Sequence, residues 1–282
     1  MSILITGGTG KIGMPLAQML QNAKIPFLLT SRKGLSGAPV GMQAVKFDWS
    51  DASTFDNAFN QAKIIAVFLV APWSSSPAEM MNPFIDVAVQ HGVKRFVMMA
   101  GTTVDKGGHY VGTVWQHLSD LKTETCVLRP SWFNENFLEE PHLSTIENEG
   151  KIYSGCEDGK SPYVATKDIV AVAFKALTDK TPPEESYYVI GEEILNNDEI
   201  AGLFTKVLGR KVEHIRMESQ EENTKRLAKG QTEFIAYFMT WLEAETAKGL
   251  GEKIKTSDVR RVLGRPPQNF EDWVQENKTK WQ

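Results

Sequence analysis

The residues best placed to do chemistry open the chain. Thr6-Gly7-Gly8-Thr9-Gly10-Lys11-Ile12-Gly13 sets three glycines three apart, directly after the apolar run Ile3 to Ile5. That spacing suits the diphosphate of a dinucleotide. Gly7 permits a tight strand-to-helix turn, Gly10 lets backbone approach the phosphates, and Gly13 lets the following helix pack close to the sheet. Backbone N–H groups over Thr9 to Ile12, helped by the helix dipole, then face the anion. A second apolar run, Phe27 to Thr30, ends in Ser31-Arg32-Lys33. An acidic residue there would hydrogen-bond the ribose 2′-hydroxyl of NAD and repel a phosphate. A hydroxyl, a guanidinium and an ammonium suit the 2′-phosphate of NADP(H), although the same trio also describes a solvated basic turn.

Further candidates fall at the ends of later runs. Asp48 could accept from the adenine amino group with Trp49 alongside, or cap the helix that follows. Ala71-Pro72 and Ala100-Gly101 end two apolar runs, where backbone would lie under the ribose and nicotinamide. Trp73, Trp115, Trp132 and Phe133, with Asn136 and Tyr163, are candidates for the substrate side. A flat cation would gain about 0.5–2 kcal/mol from each aromatic face. Packing explains aromatics near strand ends equally well. Phe234, Tyr237 and Trp241 have helical spacing that reads first as core, with Tyr237 kept as a substrate contact. His117, Asp105 and Glu135 are candidates for a general base, against the plainer roles of capping and hydrogen bonding. Arg129 reads as an anchor beneath the site, and Asp168 as a residue that caps or holds a helix. No histidine and carboxylate spacing suggests a metal.

These positions need a scaffold of alternating strands and helices. Ile3 to Ile5, Phe27 to Thr30, Val45 to Trp49, Ile64 to Val70, Arg95 to Met99 and Thr125 to Leu128 read as strands. Helical patterns over Ile12 to Leu20, Phe55 to Ala62, Met80 to Gln90 and around Trp115 separate most of them. The expected fold is α/β, a doubly wound parallel sheet with helices on both faces, whose ligands lie beyond the carboxyl ends of the strands. From Trp132 the pattern loosens. Ile152-Tyr153, Pro162 to Ala165 and Tyr187 to Ile190 read as short strands, and Lys211 to Met217 as an edge strand. Asp168 to Leu177 and Asn197 to Leu208 read as helices, and Ser219 to Lys248 as one or two broken near Gly230. The expectation is a dinucleotide-binding core over 1–131 and a smaller α/β cap lobe over 132–282 that recognises substrate. The two are interleaved as one compact unit.

Composition narrows the class. The 282 residues carry a net charge of −4, which argues against a general nucleic-acid binder. Two cysteines, Cys126 and Cys156, far apart, argue against a disulfide scaffold. The longest apolar run, Ile64 to Pro72, is too short to span a bilayer. With the glycine loop starting at residue 7, no signal peptide is read. A cytoplasmic protein acting on a small molecule is expected, without membrane or nucleic-acid partners, as a monomer or weak homodimer.

The chain resembles the NmrA-like atypical short-chain dehydrogenases in its Thr-Gly-Gly-Thr-Gly-Lys-Ile-Gly loop and the Arg32 strand end. Phe47-Asp48-Trp49, Lys94-Arg95-Phe96-Val97, Leu128-Arg129-Pro130-Ser131-Trp132-Phe133-Asn134-Glu135-Asn136-Phe137, Gly159-Lys160 and Val207-Leu208-Gly209-Arg210-Lys211 narrow the match. With them the chain resembles the ergot-alkaloid branch, which contains festuclavine- and agroclavine-dehydrogenase-like enzymes. The resemblance implies a Rossmann core, NADP(H) and indole-alkaloid iminium substrates. The wider superfamily uses a tyrosine followed four residues later by a lysine, to protonate a carbonyl oxygen. Here Tyr110 is followed at that spacing by Val114. Hydride addition to an iminium carbon gives a neutral amine and no alkoxide to protonate, so the missing pair fits an iminium better than a ketone. Three functions remain open: an NADPH-dependent imine or iminium reductase, a redox-neutral cyclase on the same scaffold, and a non-catalytic redox sensor.

Overall fold

The computed structural model describes residues 1–254 and 256–282. In chain order the first elements are β1 (Ser2–Ile5), α1 (Gly13–Asn22), β2 (Phe27–Ser31), β3 (Ala44–Lys46), α2 (Asn57–Gln61) and β4 (Ile64–Leu69). Then come α3 (Pro77–Gln90), β5 (Arg95–Met99), α4 (Gly112–Asp120) and β6 (Glu124–Pro130). The later elements begin with α5 (His142–Glu149), β7 (Lys151–Ser154), α6 (Thr166–Thr178), β8 (Ser186–Val189) and α7 (Asn197–Leu208). They finish with β9 (Glu213–Arg216), α8 (Ser219–Ala228), α9 (Glu233–Ala247), α10 (Val259–Leu263) and α11 (Phe270–Asn277).

The chain divides into two compact units, Met1–Pro130 with Ile169–Tyr188, and Ser131–Asp168 with Val189–Gln282. Residues 169–188, read from sequence as part of the second lobe, therefore pack in the first. The first unit is built on a seven-stranded sheet of order β3-β2-β1-β4-β5-β6-β8. The pairings β1–β2, β2–β3, β1–β4, β4–β5 and β5–β6 are all parallel. Leu4 pairs with Leu28 on one side and Val67 on the other. Such strands are sandwiched between helices, which explains why they read as apolar runs rather than alternations. Below them lies a core of Leu4, Val67, Phe96 and Val127 with Met81, Phe84 and Ile85 of α3 and Val114, Trp115 and Leu118 of α4.

The second unit pairs β7 with β9 in a parallel two-stranded sheet, Ile152 opposite His214. Its core gathers Phe137, Ile146, Ile152, Phe204, Phe270, Trp273 and Trp281. Asn196 and Glu199 close a reciprocal capping box at the start of α7, satisfying two backbone donors at once.

Several expectations need correction. The third strand stops at Lys46, because Asp48 and Asp51 fold the chain back as an isolated antiparallel bridge. The helix expected over Phe55 to Ala62 is a 3-10 turn, Ala52–Thr54, followed by the short α2. Pro162 to Ala165 forms no strand, only the bridges Phe133–Val164 and Ser161–Leu195 at its edges. The Tyr187 strand is β8 of the large sheet, beside β6. Ser219 to Lys248 does break, into α8 and α9 on either side of Gly230.

Candidate functional site

The glycine turn is held from beneath by Thr6. Its hydroxyl donates to the Phe68 carbonyl (3.0 Å) and accepts from Val70 N–H (2.7 Å), pinning the end of β1 to the end of β4. Gly7 then turns at φ +63°, a conformation that L side chains rarely adopt. A Cβ on Gly13 would lie 2.3 Å from the Gly7 carbonyl oxygen and 2.8 Å from Gly8 Cα. The third glycine thus lets α1 press on the loop backbone itself rather than on the sheet. A Cβ on Gly10 would meet only the Gly7 carbonyl, at 3.3 Å. No side chain caps the start of α1 and no acidic residue stands in its first turn. The helix end therefore keeps its positive field for an anion, with exposed Thr9 and Lys11 beside it.

At the end of β2, Ser31 Oγ accepts from Lys33 N–H (3.1 Å), curling the chain so that Arg32 and Lys33 face solvent. Asp48 lies close enough to Arg32 to feel its charge. Its carboxyl is held below the usual range first by the Ser50 backbone N–H and hydroxyl (2.9 and 2.7 Å to Oδ1), and then by Arg32 and Lys46. The capping role falls instead to Asp51, which accepts from Ser53 N–H. Both hydrogen bonds fall on Oδ1; among the described residues Oδ2 has none, which leaves it available as an acceptor. Trp49 packs edge-on against Phe47 (4.8 Å) and Phe84 (5.5 Å), so part of its indole is core.

Beyond β4 and β5 the backbone stays ordered by its neighbours. Ala100 and Thr102 N–H donate to the Leu128 and Pro130 carbonyls of β6, extending the ladder past Gly101. Ala71 and Pro72 are half-buried, and Trp73 is 60% exposed. Tyr110 approaches this turn from the loop before α4, its hydroxyl 3.4 Å from the Pro72 carbonyl oxygen. Its backbone is left-handed (φ +55°), a strain of about 1–3 kcal/mol for a bulky residue. Burial pushes its phenol up to about 12, so it keeps its proton. Sequence reasoning noticed Tyr110 only for the lysine missing after it; its left-handed backbone leaves no mark on composition or periodicity.

Three candidates in the first unit are structural. Trp115 is 5% exposed, and its indole N–H donates to Glu185 Oε1 (3.3 Å). Val111, Val114, Trp115 and Leu118 form the inward stripe of α4, so Trp115 is core and not a substrate contact. His117 lies in the last turn of α4, away from the strand ends, with Nε2 2.7 Å from Asp86 Oδ1 of α3. Asp105 is exposed and pairs with Arg129 Nη2 (2.8 Å). Arg129 stands between the rings of Tyr188 (4.3 Å) and Trp115 (5.6 Å) and also donates to the Thr102 carbonyl, the anchor expected of it.

In the second unit, Trp132 donates from its indole N–H to Thr246 Oγ1 of α9 (3.1 Å), and Phe133 bridges to Val164. Both oxygens of Glu135 are already hydrogen-bonded within the second unit. Oε2 accepts from Thr166 N–H at the start of α6 (2.9 Å) and Oε1 from the Trp273 indole (3.2 Å). Glu135→Gln keeps one acceptor at most, so unfolding by urea should show a loss of about 1–2 kcal/mol. A drop in turnover at unchanged stability would restore Glu135 as a base. Asn136 is half-buried in the 3-10 turn Asn134–Leu138. Tyr163 belongs to the core: its ring meets Phe137 and Phe270, its hydroxyl faces Asn197 (3.4 Å), and burial raises it well above 10. Tyr237 is 68% exposed on α9, where Phe234, Phe238 and Trp241 follow one another ring to ring. Asp168, fully buried, holds Arg265 and the Gln268 N–H rather than its own helix.

Two histidines of this unit stand in no motif and were not among the candidates. His214 Nε2 meets Ser154 Oγ (2.9 Å), which also accepts from Asn197 Nδ2 (2.8 Å). The His142 ring lies tilted against Phe137, 5.3 Å between centroids, and among the described residues its buried Nδ1 has no hydrogen-bond partner. Burial first, then the charges of Arg226, Lys229 and His214, push His142 down from 6.5 to about 4. A lowered base resists protonation in the folded state. Its contribution is present above about pH 6.5 and is lost as pH falls towards 4, by about 3 kcal/mol. His142→Gln should flatten that part of the acid-unfolding curve. An unchanged slope would mean that the imidazole titrates normally.

A parallel sheet entering an uncapped helix through a three-glycine turn, with a hydroxyl and two cations ending its second strand, defines a dinucleotide-binding fold. Within that class the chain belongs to the NmrA-like family, whose profile matches residues 1–274. It is 37% identical to festuclavine dehydrogenase of Aspergillus fumigatus, covering 100% of this chain and 99% of the relative. It is 36% identical to agroclavine dehydrogenase of Claviceps fusiformis, covering 100% and 99%. Among solved structures, triphenylmethane reductase of Citrobacter sp. in complex with NADP(H) superimposes with a TM-score of 0.81 at 20% identity, covering 98% of this chain and 99% of that one. NADPH-dependent quinone oxidoreductase of Escherichia coli, complexed with NADPH, gives 0.81 at 19% identity, covering 98% and 99%. At those identities the likeness is one of fold.

Proposed function

We propose that the chain is an NADPH-dependent reductase of an indole-alkaloid imine or iminium. One observation carries the reading. The first unit offers a seat for a phosphorylated dinucleotide, but the residue four places after Tyr110 is Val114, so no lysine is set to ionise the phenol. The residues fit the cofactor: Gly10 leaves room for a diphosphate, the start of α1 carries no cap, and Ser31, Arg32 and Lys33 supply donors to a 2′-phosphate. When bound, the nicotinamide supplies hydride. The chain supplies position. Backbone around Gly7, Thr9, Gly10, Lys11 and Ile12 holds the diphosphate. Asp48 Oδ2 accepts from the adenine amino group with Trp49 at its edge, and Ala71, Pro72, Ala100 and Gly101 form the floor for the ribose and the reactive ring. Trp73 in the first unit, and separately Trp132, Phe133, Asn136 and Tyr237 in the second, are each proposed as substrate contacts within their own unit. Aromatic faces suit a planar cation. The names of the festuclavine and agroclavine dehydrogenases support this substrate class.

The test is titration of the protein with NADPH, followed by a tricyclic indole iminium or its amino-aldehyde precursor, with absorbance at 340 nm and product mass recorded. NADPH consumption with a product carrying one added hydride establishes the reductase. Unconsumed NADPH with an isomeric or dehydrated ring-closed product establishes the cyclase. Binding without any product leaves the sensor.

A further inference from the structure

We propose that Tyr110 is a positioning residue. Its hydroxyl latches the Ala71–Pro72 turn at the end of β4 to the loop that follows β5, and so fixes the floor on which the reactive ring of the cofactor lies. The cofactor half of this inference rests on the function proposed above; the latch itself does not.

Among the described residues, four non-glycine positions have positive φ: Lys24, Tyr110, Lys122 and Glu157; Lys24 and Lys122 directly follow the C-caps of α1 and α4, where a left-handed residue commonly ends a helix. Tyr110 is the aromatic one. A bulky residue persists in that conformation where its surroundings over-determine it, and such outliers gather at functional sites. The loop around it is wound tightly. Gly107 N–H donates to the Gly112 carbonyl (2.8 Å), Gly108 N–H to Asp105 (2.9 Å) and Gly112 N–H to His109 (3.0 Å). A Cβ on Gly112 would come within 2.3 Å of the Asp105 oxygen, so the loop has no slack. Thr113 Oγ1 donates to the Tyr110 carbonyl (3.0 Å), tying the residue to the first turn of α4. The ring packs against the core of the first unit, as Ala71 and Ala100 do, and the hydroxyl lies 3.4 Å from the Pro72 carbonyl oxygen. A carbonyl accepts and never donates, so in this contact the phenol is the donor. Pro72 has no N–H with which to tie itself down, and its carbonyl is the handle the loop uses.

The test uses full-length protein and Tyr110→Phe, which keeps the ring and removes the hydroxyl. NADPH affinity is read by fluorescence titration, and backbone hydrogen exchange is followed in the peptide spanning residues 70–76 without cofactor. The latch predicts a rise of about fivefold in the NADPH Kd, with kcat at saturating NADPH changed less than twofold, as expected for one net hydrogen bond lost from positioning. Exchange in residues 70–76 should quicken severalfold while β4 amides stay as protected as before. Unchanged exchange at 70–76, or faster exchange through all of β4, overturns the latch, the second result making the hydroxyl a general core contact. Quickened exchange with an unchanged NADPH Kd overturns the assignment to the cofactor floor. Wild-type protein that fails to bind NADPH removes the cofactor reading alone, and the exchange measurement still decides the latch.

Discussion

Gly13→Ala should abolish useful NADPH binding, raising the Kd by at least about a hundredfold, and should lower stability by about 1–3 kcal/mol, the usual range for forcing atoms into a filled space. The added methyl group has nowhere to go. Its two nearest neighbours, the Gly7 carbonyl oxygen at 2.3 Å and Gly8 Cα at 2.8 Å, are both backbone. Relief requires α1 to back away from the turn, and that movement spoils the alignment of the helix end with the diphosphate. Gly10→Ala is the control that separates the two effects. Its Cβ meets only one oxygen, at 3.3 Å, so the fold should tolerate it. Affinity should still fall, because the methyl group occupies the approach to the phosphates. Thermal unfolding and NADPH titration on both variants check this. Equal stability loss in the two would mean that the close approach at Gly13 is not what shapes the turn.

Arg32→Glu should raise the Kd for NADPH by about a hundredfold and that for NADH by less than about threefold. One charge-assisted hydrogen bond to a phosphate is worth about 1.5–3 kcal/mol, and a carboxylate in its place adds repulsion. The setting strengthens the effect. The charge of Arg32 contributes to holding Asp48 low, so a glutamate at 32 would put two carboxylates near a group carrying two negative charges. Parallel titrations with the two cofactors decide the matter. Equal loss of both would place Arg32 on the ribose or adenine rather than on the 2′-phosphate.

The parts of the fold that were legible are those whose cause is local. β1, β4, β5 and β6 are largely buried between helices and so appear as mostly apolar runs, and the glycine spacing reports a turn geometry directly. β8 was legible as a strand but not as a member of the large sheet, since Tyr187 carries no sign of its partner. Trp115 is a different kind of miss. Val111, Val114, Trp115 and Leu118 have the spacing of a buried helical stripe, so the core reading was available in the sequence. Glu135 was not readable at all, because its two oxygens are taken by residues 166 and 273, far along the chain. Asp48 lies between these cases. The Asp48-Trp49-Ser50-Asp51 stretch announces a turn, but only the structure divides the labour, giving the cap to Asp51 and leaving one Asp48 oxygen open.

The return of residues 169–188 to the first unit has a consequence for biosynthesis. When the ribosome has released β6, the sheet ends there, and the strand that will cover its edge has not been made. Thirty-eight residues of the second unit, Ser131 to Asp168, must emerge before α6 and β8 can arrive. During that interval β6 presents unpaired backbone groups, the kind of edge that recruits other chains. A fragment ending at Pro130 would carry that open edge permanently. The first unit is a module in space but not in translation, and exchanging it between relatives would require cuts at three points of the chain rather than one.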